Sequence, residues 1–183
     1  MGSPEPIKQS HHPVTHHLFP TPPKPLHFPP VKPTRAFSPP GTYFITSSTL
    51  AKRSVFQVDN MARLFLHVLY SYEREGHYLL HEFVLMPDHF HIILTPARDT
   101  TLERCVQMIK GGFARQARRP IWQRGFTDHR IRDAADFERF RGYIHRNPVK
   151  RGLVFEPHLY RYSSAYPGFR LAPFPSAAQA ANV

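Results

Sequence analysis

Residues 84–94 read VLMPDHFHIIL, and how this stretch folds decides how the chain folds. The Pro87-Asp88 step separates two β-forming runs, HYLLHEFVLM (77–86) and HFHIILT (89–95). Proline presets one backbone dihedral and aspartate favours turns, so the step predicts a tight turn joining two antiparallel strands. Side chains two apart on a strand share a face. Phe90, Ile92 and Leu94 should therefore enter a core, while His89 and His91 leave the other face together, roughly 7 Å apart by the strand rise. Two such imidazoles can converge on one metal ion, or each can be satisfied by its own hydrogen bond. The spacing leaves both open.

Outward from the hairpin, GTYFITSST (41–49) alternates β-formers and predicts a strand. NMARLFLHVLYSYEREG (60–76) sets Met61, Leu64, Phe65, Val68, Leu69 and Tyr72 at helical spacing, with Gly76 as the stop. TLERCVQMIKGGFARQARR (101–119) predicts a second helix opened by Thr101, and WQRGFTDHRI (122–131) a fourth strand. DAADFERFRGYIHRN (133–147) predicts a third helix, capped by Asp133 and halted at Asn147-Pro148. Beyond Pro157 the chain reads as loop or short helix. Strands alternating with helices, one hairpin included, predict an α+β fold: an antiparallel sheet with helices packed on it.

Composition divides the chain. Residues 1–40 hold 12 of its 20 prolines and five of its 13 histidines. That density forbids helix and predicts a disordered, polyproline-like extension. Its pairs His11-His12 and His16-His17 could chelate a metal loosely, or belong to a solvated low-complexity tail. Residues 41–170 form the folded domain, and the Ala-rich stretch 171–183 reads as a second disordered tail. Cys105 stands alone among 183 residues, which excludes an intrachain disulfide. No apolar stretch approaches the roughly 20 residues of a membrane span, and no signal-peptide layout opens the chain. The expectation is a soluble, cytoplasmic protein.

The net charge is +11, and residues 41–183 alone carry 20 Lys+Arg against 12 Asp+Glu. A surplus of this size predicts a polyanionic partner, most commonly nucleic acid. Lys110, Arg115, Arg118 and Arg119, on or after the second helix, could track a phosphate backbone. Arg124, Arg130, Arg132, Arg146, Lys150 and Arg151 flank the stretches that carry the chemistry. Trp122 and Phe126 could stack on unpaired bases or fill the core.

The metal reading of the histidines needs further ligands. Zinc would normally recruit Cys, His or carboxylate to complete its shell, and no second close His/Cys cluster follows. An open, partly hydrated site remains, which suits Mg²⁺ or Mn²⁺ acting as a Lewis acid. A second stretch, RGYIHRNPVKRGLV (141–154), spaces Tyr143 and Asn147 at i, i+4 on one helix face beside the apolar stripe Phe137, Phe140 and Ile144. A tyrosine at the rim of a core and an asparagine ending a helix would fit the same pattern.

MPDHFHIIL, WQRGFTDHRIRD and YIHRNPVKRGLV, in that order, with GTYFITSS before them and YRYSSAYPGF after, resemble the REP-associated tyrosine transposases. These are IS200-like members of the HUH single-tyrosine superfamily, and the likeness covers residues 41–170. The resemblance implies a palm-like, ferredoxin-like α+β domain. It implies that His89 and His91 bind a divalent metal, that Asn147 supplies a third ligand, and that Tyr143 is the nucleophile. The implied activity is cleavage and rejoining of single-stranded or hairpin DNA through a 5′-phosphotyrosine intermediate, with a monomer favoured over a dimer. The alternative is a domesticated relative that binds structured nucleic acid without cutting it. The Pro/His-rich extension lies outside the likeness.

Overall fold

The computed structural model describes residues 38–174. Four strands, β1 (Tyr43–Ser48), β2 (Tyr78–Met86), β3 (His89–Pro96) and β4 (Thr127–Arg130), form one antiparallel sheet in the order β2-β3-β1-β4. Three helices, α1 (Asp59–Arg74), α2 (Leu102–Ala117) and α3 (Ala134–Lys150), pack on it. The α+β architecture expected from the sequence is therefore the one observed. The β2–β3 hairpin turns at Pro87-Asp88, with Met86 opposite His89. Thr101 caps α2 by accepting from the Arg104 amide, and Asp133 caps α3 by accepting from the Asp136 amide. Gly76, at φ 82°, ends α1 in the left-handed region that glycine adopts without steric strain.

Period two divides the sheet into two faces. Tyr43 and Ile45 of β1, Phe83 and Leu85 of β2, and Phe90, Ile92 and Leu94 of β3 meet α1 and α2. There they join Phe65, Val68 and Leu69 of α1 and Val106, Ile109 and Phe113 of α2. All are essentially inaccessible to water, and each such side chain stabilises the fold by roughly 1.5–3 kcal/mol through burial. Trp122 belongs to this core. Its ring lies 5.4–5.9 Å from those of Phe56, Phe65, Phe90 and Phe113, and its Nε1–H donates to the Lys110 carbonyl at 2.8 Å.

The other face carries Phe44 and Thr46 of β1, and His89 and His91 of β3, beneath α3. A β-bulge between Leu80 and Glu82 shifts the register of β2. It turns His81 toward Phe137 of α3, while Glu82 meets His145 and Arg141 of the same helix. Two consecutive polar residues thus face one helix, which simple alternation would forbid.

The structure corrects three sequence expectations. The strand expected over 122–131 is confined to β4, because Trp122 only bridges Thr49 and Gly125 turns the chain at φ 79°. The helix expected to halt at Asn147-Pro148 continues to Lys150. A proline in the last turn forfeits one helical bond, and both Asn147 and Pro148 are buried under the sheet. The end is closed instead by Arg151 and Leu153, whose amides donate to the Asn147 and Pro148 carbonyls. The domain edges also move. Ser38 Oγ donates to Glu103 at 2.7 Å, and Arg130 donates to the Pro40 carbonyl at 2.8 Å. At the other edge the Ala172 amide donates to the Leu80 carbonyl, and Phe174 stacks on Phe137. Ser38–Pro40 and Leu171–Phe174, assigned by composition to the tails, thus bond to the body. The remaining tail residues, including the four paired histidines, lie outside the described residues.

Candidate active site

His89 and His91 open β3 on the face covered by α3. Their ring centroids are 4.8 Å apart. Each imidazole is held at Nδ1: His89 by the Asp88 carboxylate at 2.6 Å, His91 by the Thr46 hydroxyl at 2.7 Å. A carboxylate only accepts, so His89 carries its proton on Nδ1 and keeps a lone pair on Nε2. The same tautomer suits His91, whose Nε2 is buried and has no hydrogen-bond partner. A buried orphan nitrogen is costly unless something takes it up.

Burial holds His91 well below the ordinary histidine range, and the charges of His89 and Lys52 add to this. Burial also lowers His89, partly offset by its bond to Asp88. Both rings are therefore neutral near pH 7, the state in which imidazole ligates metal. Asp88 is held below the usual carboxylate range: burial pushes it up, but the bond and charge of His89, with Lys52 and Arg151, outweigh it.

Tyr143 projects from α3 toward these histidines, and Asn147 follows it one turn on. The Tyr143 ring meets His91 edge-on at 5.1 Å and Phe44 at 5.9 Å, and its hydroxyl bonds the Asn147 side chain. Because α3 runs past Pro148, Asn147 is a helical residue one turn beyond Tyr143 rather than a terminator. Burial raises the Tyr143 phenol above 10, against the lowering effects of the Asn147 bond and the Arg151 charge. Phe44, 1% exposed, is the floor of the site; its ring stacks on Phe140 at 4.5 Å and on His91 at 5.3 Å.

The residues present fit a divalent ion. Among the described residues no three His, Cys, Asp or Glu side chains gather to hold a metal. Two neutral imidazoles offering Nε2 lone pairs from one face, with a neutral amide one helical turn from Tyr143, could hold a divalent cation whose remaining positions water would fill.

The basic residues divide. Lys52, whose Nζ donates to Ser48 at 2.7 Å, and Lys150, 5.8 Å from the Tyr143 ring, border the site. Arg118, Arg119 and Arg124 are exposed in the α2–β4 connection. That connection meets the histidine end of the sheet, where the Gln123 amide donates to the Ser48 carbonyl. Arg115 is exposed on α2, on the far side of the sheet from the histidines. Four others have partners within the protein. Lys110 donates to the Gln123 and Gly125 carbonyls at 3.0 and 2.6 Å, closing the turn before β4. Arg130 holds Pro40, Arg132 lies 3.7 Å from Asp136, and Arg151 pairs with Asp88 at 3.0 Å. Arg146 is exposed and folds back over Gly142.

Sequence reasoning missed Asp88, Thr46 and Phe44 as site residues. Asp88 was legible only as a turn former, and the other two enter through strand pairing, Thr46 opposite His91.

The transposase IS200-like family matches residues 41–147. A REP-associated tyrosine transposase of Escherichia coli (strain K12) is 30% identical over 116 residues, spanning 62% of this chain and 70% of that protein. A solved structure, described as the REP-associated tyrosine transposase bound to a REP hairpin, superposes with a TM-score of 0.65 at 27% identity. It covers 73% of this chain and 82% of that one. No helix among the described residues is long and apolar enough to cross a membrane.

Proposed function

We propose, from the premise that the chain belongs to the IS200-like transposases and among them to the REP-associated tyrosine transposases, that Tyr143 cleaves and rejoins single-stranded DNA beside a hairpin. The observation that carries this reading is the buried, unpartnered His91 Nε2, in a ring 5.1 Å from that of Tyr143. A lone pair kept dry and unused next to a tyrosine is an uncompensated cost in a structural role and a prepared ligand in a catalytic one.

Tyr143 acts as the nucleophile. Its phenolic oxygen bonds to the scissile phosphorus as the bond to the 3′ oxygen breaks. The phenolic proton is lost to water, and the departing 3′ oxygen takes one up. The products are a 5′-phosphotyrosine link and a free 3′-hydroxyl; attack by a 3′-hydroxyl on that link reverses the step and rejoins DNA without ATP. A Mg²⁺ or Mn²⁺ ion held by His89, His91 and Asn147 would polarise the phosphate and offset its developing charge.

The chain's own groups do the positioning on which phosphoryl transfer chiefly depends. Asn147 serves two ends of one amide: its NH₂ donates to the Tyr143 oxygen and favours the phenolate, while its carbonyl oxygen would be left to hold the ion. A neutral amide there, in place of a carboxylate, spares the approaching phosphate a repulsion. Arg151 lowers the phenol against the effect of burial. Lys52, Lys150, Arg118, Arg119 and Arg124 add the positive rim that draws the strand in. The structural relative described as bound to a REP hairpin supports the choice of a folded single strand as substrate.

Incubation with Mn²⁺ and labelled single-stranded hairpin DNA tests this. The wild-type chain should give a protein–DNA adduct that survives denaturation, and Tyr143→Phe should bind the hairpin and give none. An adduct from Tyr143→Phe would remove Tyr143 from its role. Hairpin binding by the wild type without any adduct would establish a non-cleaving binder instead.

A further inference from the structure

We propose that Asp88 is a positioning residue for the metal centre: its carboxylate fixes the tautomer and the orientation of His89. The proposal rests on the metal reading of His89 and His91 above, and it adds a residue outside the ligand set. Aspartate in a hairpin turn usually bonds its own backbone or water. Here the carboxylate is turned inward, with 14% of the side chain exposed. One oxygen, Oδ1, accepts both from His89 Nδ1 at 2.6 Å and from the Arg151 guanidinium at 3.0 Å.

The main chain of Asp88 is equally constrained. Its carbonyl accepts from the Thr49 amide at 2.9 Å and the Thr49 hydroxyl at 3.0 Å, and the Pro87 carbonyl accepts from Phe56 at 3.0 Å. The carboxylate is therefore a fixed point. A histidine ring rotates broadly about its last torsion, and an exposed ring can exchange its proton between nitrogens. A fixed acceptor at Nδ1 removes both freedoms and delivers the Nε2 lone pair in one direction. Carboxylates behind ligating histidines typically account for 10–100-fold of metal affinity. Thr46 makes the corresponding contact to His91, so each imidazole has its own orienting partner.

Arg151 completes the device. It caps the C-terminus of α3, eight residues beyond Tyr143, or about 12 Å along the helix axis. By neutralising Asp88 it keeps the carboxylate from adding net negative charge beside an incoming phosphate. It also ties the hairpin that carries His89 to the helix that carries Tyr143.

The test uses the full chain with Mn²⁺ alone as probe, and compares wild type, H91A, D88A and D88N. Affinity is read by titration calorimetry, the His89 tautomer by ¹⁵N NMR of the ion-free protein, and folding by Tm. D88A should weaken Mn²⁺ binding 10–100-fold and lose the pure Nδ1–H signature of His89. D88N keeps an oxygen acceptor without the charge and should retain that signature and most of the affinity. Mn²⁺ affinity in folded D88A within threefold of wild type, or an unchanged His89 tautomer, would overturn the proposal. So would D88N losing as much as D88A, since simple charge attraction would then explain the effect. If H91A binds Mn²⁺ like wild type, the metal reading itself fails, and the tautomer readout still decides whether Asp88 orients His89.

Discussion

Replacing Phe44 with leucine separates what the sheet contributes to stability from what it contributes to the site. Phe44 is 1% exposed and lies within ring contact of Phe140, His91 and Tyr143 at 4.5, 5.3 and 5.9 Å. Truncation to alanine would open a cavity at about 3–5 kcal/mol, a large part of the stability of a domain this size. Leucine keeps most of the volume, which limits the packing loss to about 1 kcal/mol. It also forfeits the ring–ring preferences, worth about 0.5–1.5 kcal/mol per aromatic pair when fully realised. With the equivalent of one such pair lost beside the packing loss, the expected destabilisation is about 1.5–2.5 kcal/mol, and the protein stays folded. The site fares worse, because the His91 and Tyr143 rings lose the wall they share. A displacement of about 1 Å at a reacting group lowers rates on the order of 100-fold. Urea unfolding should report the first effect, and the rate of adduct formation on hairpin DNA a 10–100-fold fall. Adduct formation at the wild-type rate in a Phe44→Leu protein destabilised as expected would refute the dependence of the site on this floor.

Two other consequences are open to measurement. Burial lowers His81, His89 and His91 below the ordinary value near 6.5. The unfolded chain therefore binds protons first as pH falls: stability is fully present above about pH 6.5 and is lost through the window beneath it. Urea midpoints at pH 7.5 and 5.5 should show the drop, and equal midpoints would contradict neutral buried imidazoles. Lys110→Ala should lower the Tm by undoing the turn at Gln123–Gly125, yet leave the salt dependence of DNA binding unchanged. Arg119→Ala should instead reduce the slope of log affinity against log salt by about one contact. The reverse pattern would return Lys110 to the DNA surface.

The two-faced hairpin was legible in VLMPDHFHIIL because strand periodicity is strict, and Phe90, Ile92 and Leu94 could occupy only the apolar side. Thr101, Asp133 and Gly76 were legible because each satisfies a helix end by local chemistry alone. What escaped depends on pairing between distant segments. Nothing local in HYLLHEFVLM marks the bulge that turns His81 and Glu82 to one face; their partners Thr95, His145 and Ser164 lie 14, 63 and 82 residues away. Thr46 joins His91 only through the β1–β3 register. The same holds for the arginines. Arg151 and Arg119 look alike in sequence, and only topology sets one against Asp88 and leaves the other exposed. Pro148 misled for a related reason: local preference ends a helix before proline, and burial of Asn147 and Pro148 carries it one turn further.

The ties along α3 have a mechanical meaning. Near its start, Asp136 bonds His129 of β4 at 2.8 Å; midway, Arg141 and His145 reach Glu82 of β2; at its end, Arg151 reaches Asp88. The helix is thus a beam supported at both ends and near its centre rather than a cantilever, and Tyr143 sits in the braced span. A cantilever bends most at its tip, whereas a braced span resists deflection where it is loaded. Any rearrangement that carried Tyr143 away from His91 would have to break three separate anchorages at once.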